Sequence, residues 1–147
     1  MFIIALTRVF FYNLIKKKMK FRQNYIKKIV KNIFFKHGIS ELHSSISAEA
    51  IIQAELDGAP SHGLTRVKMY CERIKKKIIN SKPKIKIKNI SSSIAHVDAN
   101  NCIGFVAGQL GINKAIKNAQ KTGFGLVGIK NSNHYGLSSI YAKKAVK

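Results

Sequence analysis

At 147 residues and 46% hydrophobic content the chain can bury one domain's core, which excludes disorder along its whole length. Its 27 Lys and Arg against 6 Asp and Glu give a formal charge of +21, a balance that ordinarily points to nucleic acid or an anionic membrane. Only Arg8, Arg22, Arg66 and Arg73 carry the guanidinium suited to phosphate and guanine, and the lysines are scattered with Ile and Asn as in an AT-rich coding sequence, so no specific nucleic-acid partner is expected.

Residues 1–18 are apolar up to Ile15 and end in Lys16-Lys17-Lys18. That run is too short to span a bilayer, and its charges follow the apolar stretch, unlike a secretory signal. It reads as an upstream extension, with an interfacial anchor as the other reading. Met19-Lys20-Phe21 is the more natural start, and 19–147 reads as one unit.

From 22 to 37, Ile26, Ile29, Val30, Ile33 and Phe34 recur at helical spacing and Gly38 stops the run. Ser40 caps a second helix, Glu41 to about Leu56, with Leu42, Ile46, Ala50 and Ala54 on one face. Asp57-Gly58-Ala59-Pro60 breaks it, and a short helix is expected to open at His62 and Gly63. Arg66 and Tyr70, four apart, then lie on one side.

Lys84-Ile85-Lys86-Ile87-Lys88 alternates as a strand with one buried face, with 93–98 as its partner. A helix follows from Gly104 to about Lys121, striped by Val106, Leu110, Ile112, Ala115 and Ala119 and stopped by Gly123, with Gly111 a tolerated blemish. Residues 126–129 read as a short buried strand, and 137–146 as a helix. Gly123-Phe124-Gly125 precedes a strand and is not the G-x-G-x-x-G dinucleotide fingerprint. Cys71 and Cys102 show no metal-ligand spacing, so no metal is expected and the thiols read as reduced.

Two histidines stand apart from His37, His43 and His96, which read as structural or surface residues. Pro60-Ser61-His62-Gly63 and Asn131-Ser132-Asn133-His134-Tyr135-Gly136 set each in a polar loop bounded by glycine, where an imidazole can face a cleft and exchange a proton near neutral pH. The second loop joins a strand to a helix, a common ligand-binding corner.

The order Ala54-Glu55-Leu56-Asp57-Gly58, Ser61-His62-Gly63, Arg66, Tyr70, Gly123-Phe124-Gly125-Leu126-Val127-Gly128 and Asn131 to Gly136 resembles the malate/L-lactate dehydrogenase family. That resemblance runs from about Met19 to the last residue. It implies an α/β fold that is not a Rossmann fold, and a cytoplasmic, homodimeric oxidoreductase that uses NAD or NADP on a small 2-keto or 2-hydroxy acid such as malate or lactate. His62 matches the proposed proton donor and acceptor, Ser61 its orienting partner, and His134 a second histidine that could share or take the role. Arg66 and Tyr70 would hold the substrate carboxylate, while His62, Gly136, Leu137 and Ser138 would border the cofactor.

Family members carry Arg-Gly-His-Asp where this chain has Asp57-Gly58-Ala59-Pro60, and they are much longer. The expectation is therefore an N-terminal part of the fold, truncated after the second histidine loop. A separately encoded C-terminal segment would complete it, and the chain alone would be inactive. The contrasting reading is a small basic RNA- or ribosome-associated protein.

Overall fold

The computed structural model describes residues 21–146. The expected extension at 1–18 lies outside the described residues. The described chain runs as helix α1 (Gln23–Lys36), helix α2 (Glu41–Leu56), two one-turn 3-10 helices (Pro60–His62 and Leu64–Arg66) and helix α3 (Val67–Lys75). Strand β1 (Lys86–Asn89), strand β2 (Ile94–Cys102), helix α4 (Gly104–Thr122), strand β3 (Leu126–Ser132) and helix α5 (Ser139–Ala145) follow.

The helix boundaries follow local chemistry. Ser40 Oγ accepts the His43 amide at 3.3 Å, closing the first turn of α2. Gly38 at φ 88° and Gly123 at φ 76° turn the chain left-handed after α1 and α4, a conformation that costs glycine nothing. Helices α1 and α2 run antiparallel, since Lys27 pairs with Glu49 and Lys31 with Glu41.

Helix α2 buries the C-terminal half of the face its sequence suggested, Ala50 and Ala54, but not Leu42. Leu42 is 67% exposed, whereas Ser44, Ser47, Ala48 and Ile51 are fully buried. The two serines are tolerated because each hydroxyl donates to a backbone carbonyl, Ser44 to Ile39 at 3.3 Å and Ser47 to His43 at 2.7 Å. Leu42 and Ile46 instead line an open cleft of about 680 Å³ shared with α4 and α5.

The sheet has the order β1-β2-β3. β1 is antiparallel to β2, with Lys86 opposite Asp98 and Asn89 opposite Ala95. β3 is parallel to β2, with Ile94 opposite Leu126 and Asp98 opposite Lys130, and α4 makes the crossover that a parallel pair requires. Between Asp98 and Cys102 the register is irregular, and Asn100 and Asn101 both take positive φ.

Four expectations are corrected here. β1 has no buried face: all four of its residues are exposed, because no layer covers it and only Ile85, just before it, packs against the core. The short buried strand expected at 126–129 is a seven-residue edge strand, with Leu126 and Ile129 52% and 40% exposed, because only one side of the sheet is backed by α4. Gly111 is no blemish, since a Cβ there would stand 2.6 Å from Ile129 Cδ1; its absence lets α4 lie against β3. The last helix is also shorter than expected, at Ser139–Ala145.

The core lies between the helical layer of α1, α2 and α3 and the start of α4. Its axis is aromatic: Phe34 meets Tyr70 edge-on at 6.2 Å, and Tyr70 meets Phe105 at 5.0 Å. Each fully buried large side chain contributes roughly 1.5–3 kcal/mol, against about 0–1 kcal/mol for an exposed pair such as Lys31–Glu41. The aromatic axis therefore holds the layers together, and it runs directly to the histidines.

Candidate functional site

The first histidine loop is two successive 3-10 turns rather than the start of a helix, which begins only at Val67. Pro60 sits in the first turn, where its missing amide costs nothing. The His62 amide donates to Ala59, Gly63 to Pro60 and Arg66 to Gly63, and Thr65 Oγ1 ties back to the Pro60 carbonyl at 2.6 Å. Arg66 folds over the turn and donates from Nε to the Ser61 carbonyl at 2.6 Å. Ser61 Oγ lies 3.0 Å from His62 Nδ1, so the hydroxyl orients that ring.

Glu55, near the end of α2, anchors the loop. Its Oε1 accepts the Leu64 amide at 2.6 Å, and the carboxylate lies so close to Gly63 that any side chain there would displace it. Sequence reasoning placed Glu55 in a motif but gave it no task, because the contact exists only once the turn has brought Leu64 back over α2.

The second loop is held from three sides. Asn133 Nδ2 donates to the carbonyls of Asn101 and Cys102, at 3.0 and 3.2 Å, pinning the loop to the end of β2. Gly104, the first residue of α4, has no side chain where one would overlap the carbonyl oxygens of Asn133 and His134. Gly136 takes φ 80°, and a Cβ on it would lie 2.5 Å from Phe105 Cε1. None of these three supports was singled out from the sequence as a support.

These loops bring the two imidazoles together, stacked with ring centroids 5.7 Å apart and planes 26° from parallel. His134 Nδ1 lies 2.7 Å from the Tyr70 hydroxyl and 3.3 Å from the Gly136 amide that donates to it. Partial burial, followed by the charges of His62, Arg66 and Arg73, lowers the His134 pKa below the ordinary histidine value. Burial pushes the Tyr70 phenol up to about 12, against the opposing pull of Arg66 and Arg73.

Of the residues singled out beforehand, Ser61, His62, Arg66, Tyr70 and His134 converge. Tyr70 is fully buried, and its hydroxyl faces His134 rather than the surface expected of a carboxylate ligand. Leu137 packs against the core, and Ser138 Oγ meets Tyr135 Oη at 2.9 Å.

Neither large cavity is lined by the histidine pair. The 680 Å³ cleft lies among α2, α4 and α5, with Phe105 in its wall, and a second of about 400 Å³ lies between α4 and β3. Cys71 and Cys102 are free and buried, and burial raises the pKa of both. Among the described residues no cluster of His, Cys, Asp or Glu could hold a metal ion, and no helix is long and apolar enough to cross a membrane.

The chain is 39% identical over 110 residues to the malate/(S)-sulfolactate dehydrogenase of Methanothermus fervidus, covering 75% of this chain and 32% of that protein. It is 32% identical over 129 residues to the NAD(+) ureidoglycolate dehydrogenase of Escherichia coli, covering 88% and 37%. The structure of malate dehydrogenase from Pyrococcus horikoshii superposes with a TM-score of 0.83 at 33% identity, over 86% of this chain and 36% of that one. The chain thus spans about a third of the length of the relatives it matches. With the malate/L-lactate dehydrogenase family model matching residues 21–147, the chain belongs to the malate/L-lactate dehydrogenase family.

Proposed function

We propose that this chain contributes the proton-transfer side of a cytoplasmic, homodimeric NAD- or NADP-dependent oxidoreductase that interconverts a 2-keto acid and its 2-hydroxy acid, such as malate or lactate. The observation that carries it is the stacked pair His62 and His134, each ring fixed through Nδ1, beside the guanidinium of Arg66. Relatives named as malate, sulfolactate and ureidoglycolate dehydrogenases, some with NAD(+) and some with NADP(+), support the reaction class.

The described residues fit the reacting end of a nicotinamide cofactor and not its phosphates. The Gly136 amide reaches His134 Nδ1 at 3.3 Å, which sets the backbone at the start of 136–138 beside the imidazole, while the space a Cβ of Gly136 would take is filled by Phe105. α5 is a single short helix of seven residues, and no glycine-rich turn opens a helix, so a pyrophosphate cradle is absent among the described residues. Hydride chemistry is what a bound nicotinamide supplies at such a site.

The chain's own part is the proton and the carboxylate. Reduction of a ketone places negative charge on its oxygen, and an imidazolium within hydrogen-bond reach quenches that charge by protonation; in the oxidative direction the neutral ring accepts the hydroxyl proton. His62, or His134 in its place, does this work. Arg66 is held by Nε on the Ser61 carbonyl and by a long contact from Nη1 to Met69 Sδ at 3.9 Å, and a substrate carboxylate would be met by its outer edge, with Nη1 exchanging the weak sulfur acceptor for oxygen.

Grafting residues 21–147 onto the remaining length of the Pyrococcus horikoshii relative and assaying NAD(P)-dependent oxidation of malate and lactate tests the reading. Turnover is expected, with His62→Ala lowering kcat by about 100-fold or more while cofactor binding changes little. A folded graft without turnover, or one indifferent to His62→Ala, would refute it.

A further inference from the structure

The geometry points to Tyr70 as a positioning residue that holds His134 in its neutral, Nε2-protonated tautomer. This rests on the proton-transfer reading of the two histidines and gives a task to a buried phenol that the reading leaves without one.

The argument starts from a donor that cannot change its role. The Gly136 amide points a hydrogen at His134 Nδ1, 3.3 Å away, and a backbone N–H only donates. Nδ1 must therefore present its lone pair. A hydroxyl can donate or accept, and opposite a lone pair at 2.7 Å the Tyr70 hydroxyl donates. Both hydrogens meet at Nδ1, so the proton of the neutral ring resides on Nε2. Protonating Nδ1 would set its N–H against the Gly136 amide hydrogen and make the phenol oxygen the acceptor, leaving the phenol's own hydrogen to turn into the core without this partner.

The phenol is placed for this task and little else. Tyr70 is fully buried between Phe34 and Phe105, and its raised pKa keeps it protonated throughout the physiological range. The groups facing His134 act in the same direction. His62 and Arg66 from the 3-10 turns and Arg73 from α3 all oppose a positive charge on it, as does partial burial. Two imidazoles stacked at 5.7 Å do not both accept a proton without mutual repulsion. The ring with an acceptor-locked Nδ1 is therefore the one that stays neutral.

Long-range 1H–15N spectra of the imidazoles in the 147-residue chain read the tautomer without substrate or cofactor. At pH 7 His134 is expected to show an unprotonated Nδ1 and a protonated Nε2. Tyr70→Phe keeps the ring in the core but deletes the shorter of the two donors, leaving Nδ1 only the 3.3 Å Gly136 amide, and should admit some Nδ1-protonated form and raise the His134 titration midpoint by about half a pH unit, a threefold change in proton affinity. His62→Gln should also raise that midpoint, by removing the facing charge. An Nδ1-protonated His134 in the unaltered chain would overturn the assignment even if Tyr70→Phe did not fold, and so would an unchanged tautomer and midpoint in a folded Tyr70→Phe. Loss of the dehydrogenase reading would appear in the grafted enzyme's turnover and leave these spectra untouched, so the two failures are distinguishable.

Discussion

Replacing Gly104 by alanine should destabilise the fold by about 2 kcal/mol and spoil the alignment of His134. The new Cβ would stand 2.5 Å from the His134 carbonyl carbon, and closer to the carbonyl oxygens of Asn133 and His134. Carbon atoms in ordinary contact are about 3.5–4 Å apart, so backbone must move by about 1 Å. Overpacking costs roughly 1–3 kcal/mol, and the upper end applies where backbone rather than a flexible side chain is displaced. Alanine's helical preference over glycine offsets roughly 0.5–1 kcal/mol of that. The displaced segment is the one that holds His134 2.7 Å from Tyr70, so the imidazole shifts with it. Urea denaturation should show the loss of stability, thermal melting a drop of roughly 6–10 °C, and imidazole NMR an altered His134. Gly128→Ala serves as the control, because a Cβ there meets only the His96 side chain, at 3.2 Å. If Gly104→Ala melts within a degree or two of the unaltered chain and leaves the His134 resonances in place, the claim that α4 fixes the second loop fails.

Glu55→Ala removes the acceptor of the Leu64 amide and should cost about 1 kcal/mol, with amide exchange at Leu64 accelerating more than in the core of α2; equal protection in both forms would show the carboxylate to be idle. Asp57 gives the acid side of the stability profile. Hydrogen bonds from Lys143 and then Gln53, aided by the Lys143 charge and Ser139, hold its carboxyl below the usual aspartate value. A depressed folded-state pKa contributes stability that is fully present above the unfolded value near 3.8 and is lost as pH falls through the folded one. Asp57→Asn should therefore flatten the loss of stability below pH 4, and an unchanged acid limb in denaturant titrations would exclude this carboxylate as its source.

The sequence by itself determined the three long helices and the existence of two histidine loops. Those features depend on neighbours within one or two turns: the spacing of Val30, Ile33 and Phe34, the Ser40 cap, and Gly38 and Gly123, which take a left-handed φ at no cost. The resemblance carried by Ser61-His62-Gly63 and 131–136 was legible for the same reason, since each motif is contiguous. Which face each element buries was decided by the tertiary structure. Leu42, Ile87 and Leu126 have the pattern of core residues and stand exposed, because burial depends on whether another layer arrives on that side, and periodicity cannot say so. Gly104 read only as the start of a helix and Gly111 as a tolerated blemish within it, whereas the backbone of the second loop and the side chain of Ile129 occupy the space a Cβ would fill at each. The task of Tyr70 was hidden most deeply. Its partner is 64 residues away in sequence, and only the packing of α3 and α4 around Phe105 brings a buried phenol to the one ring nitrogen that a glycine amide has already made an acceptor.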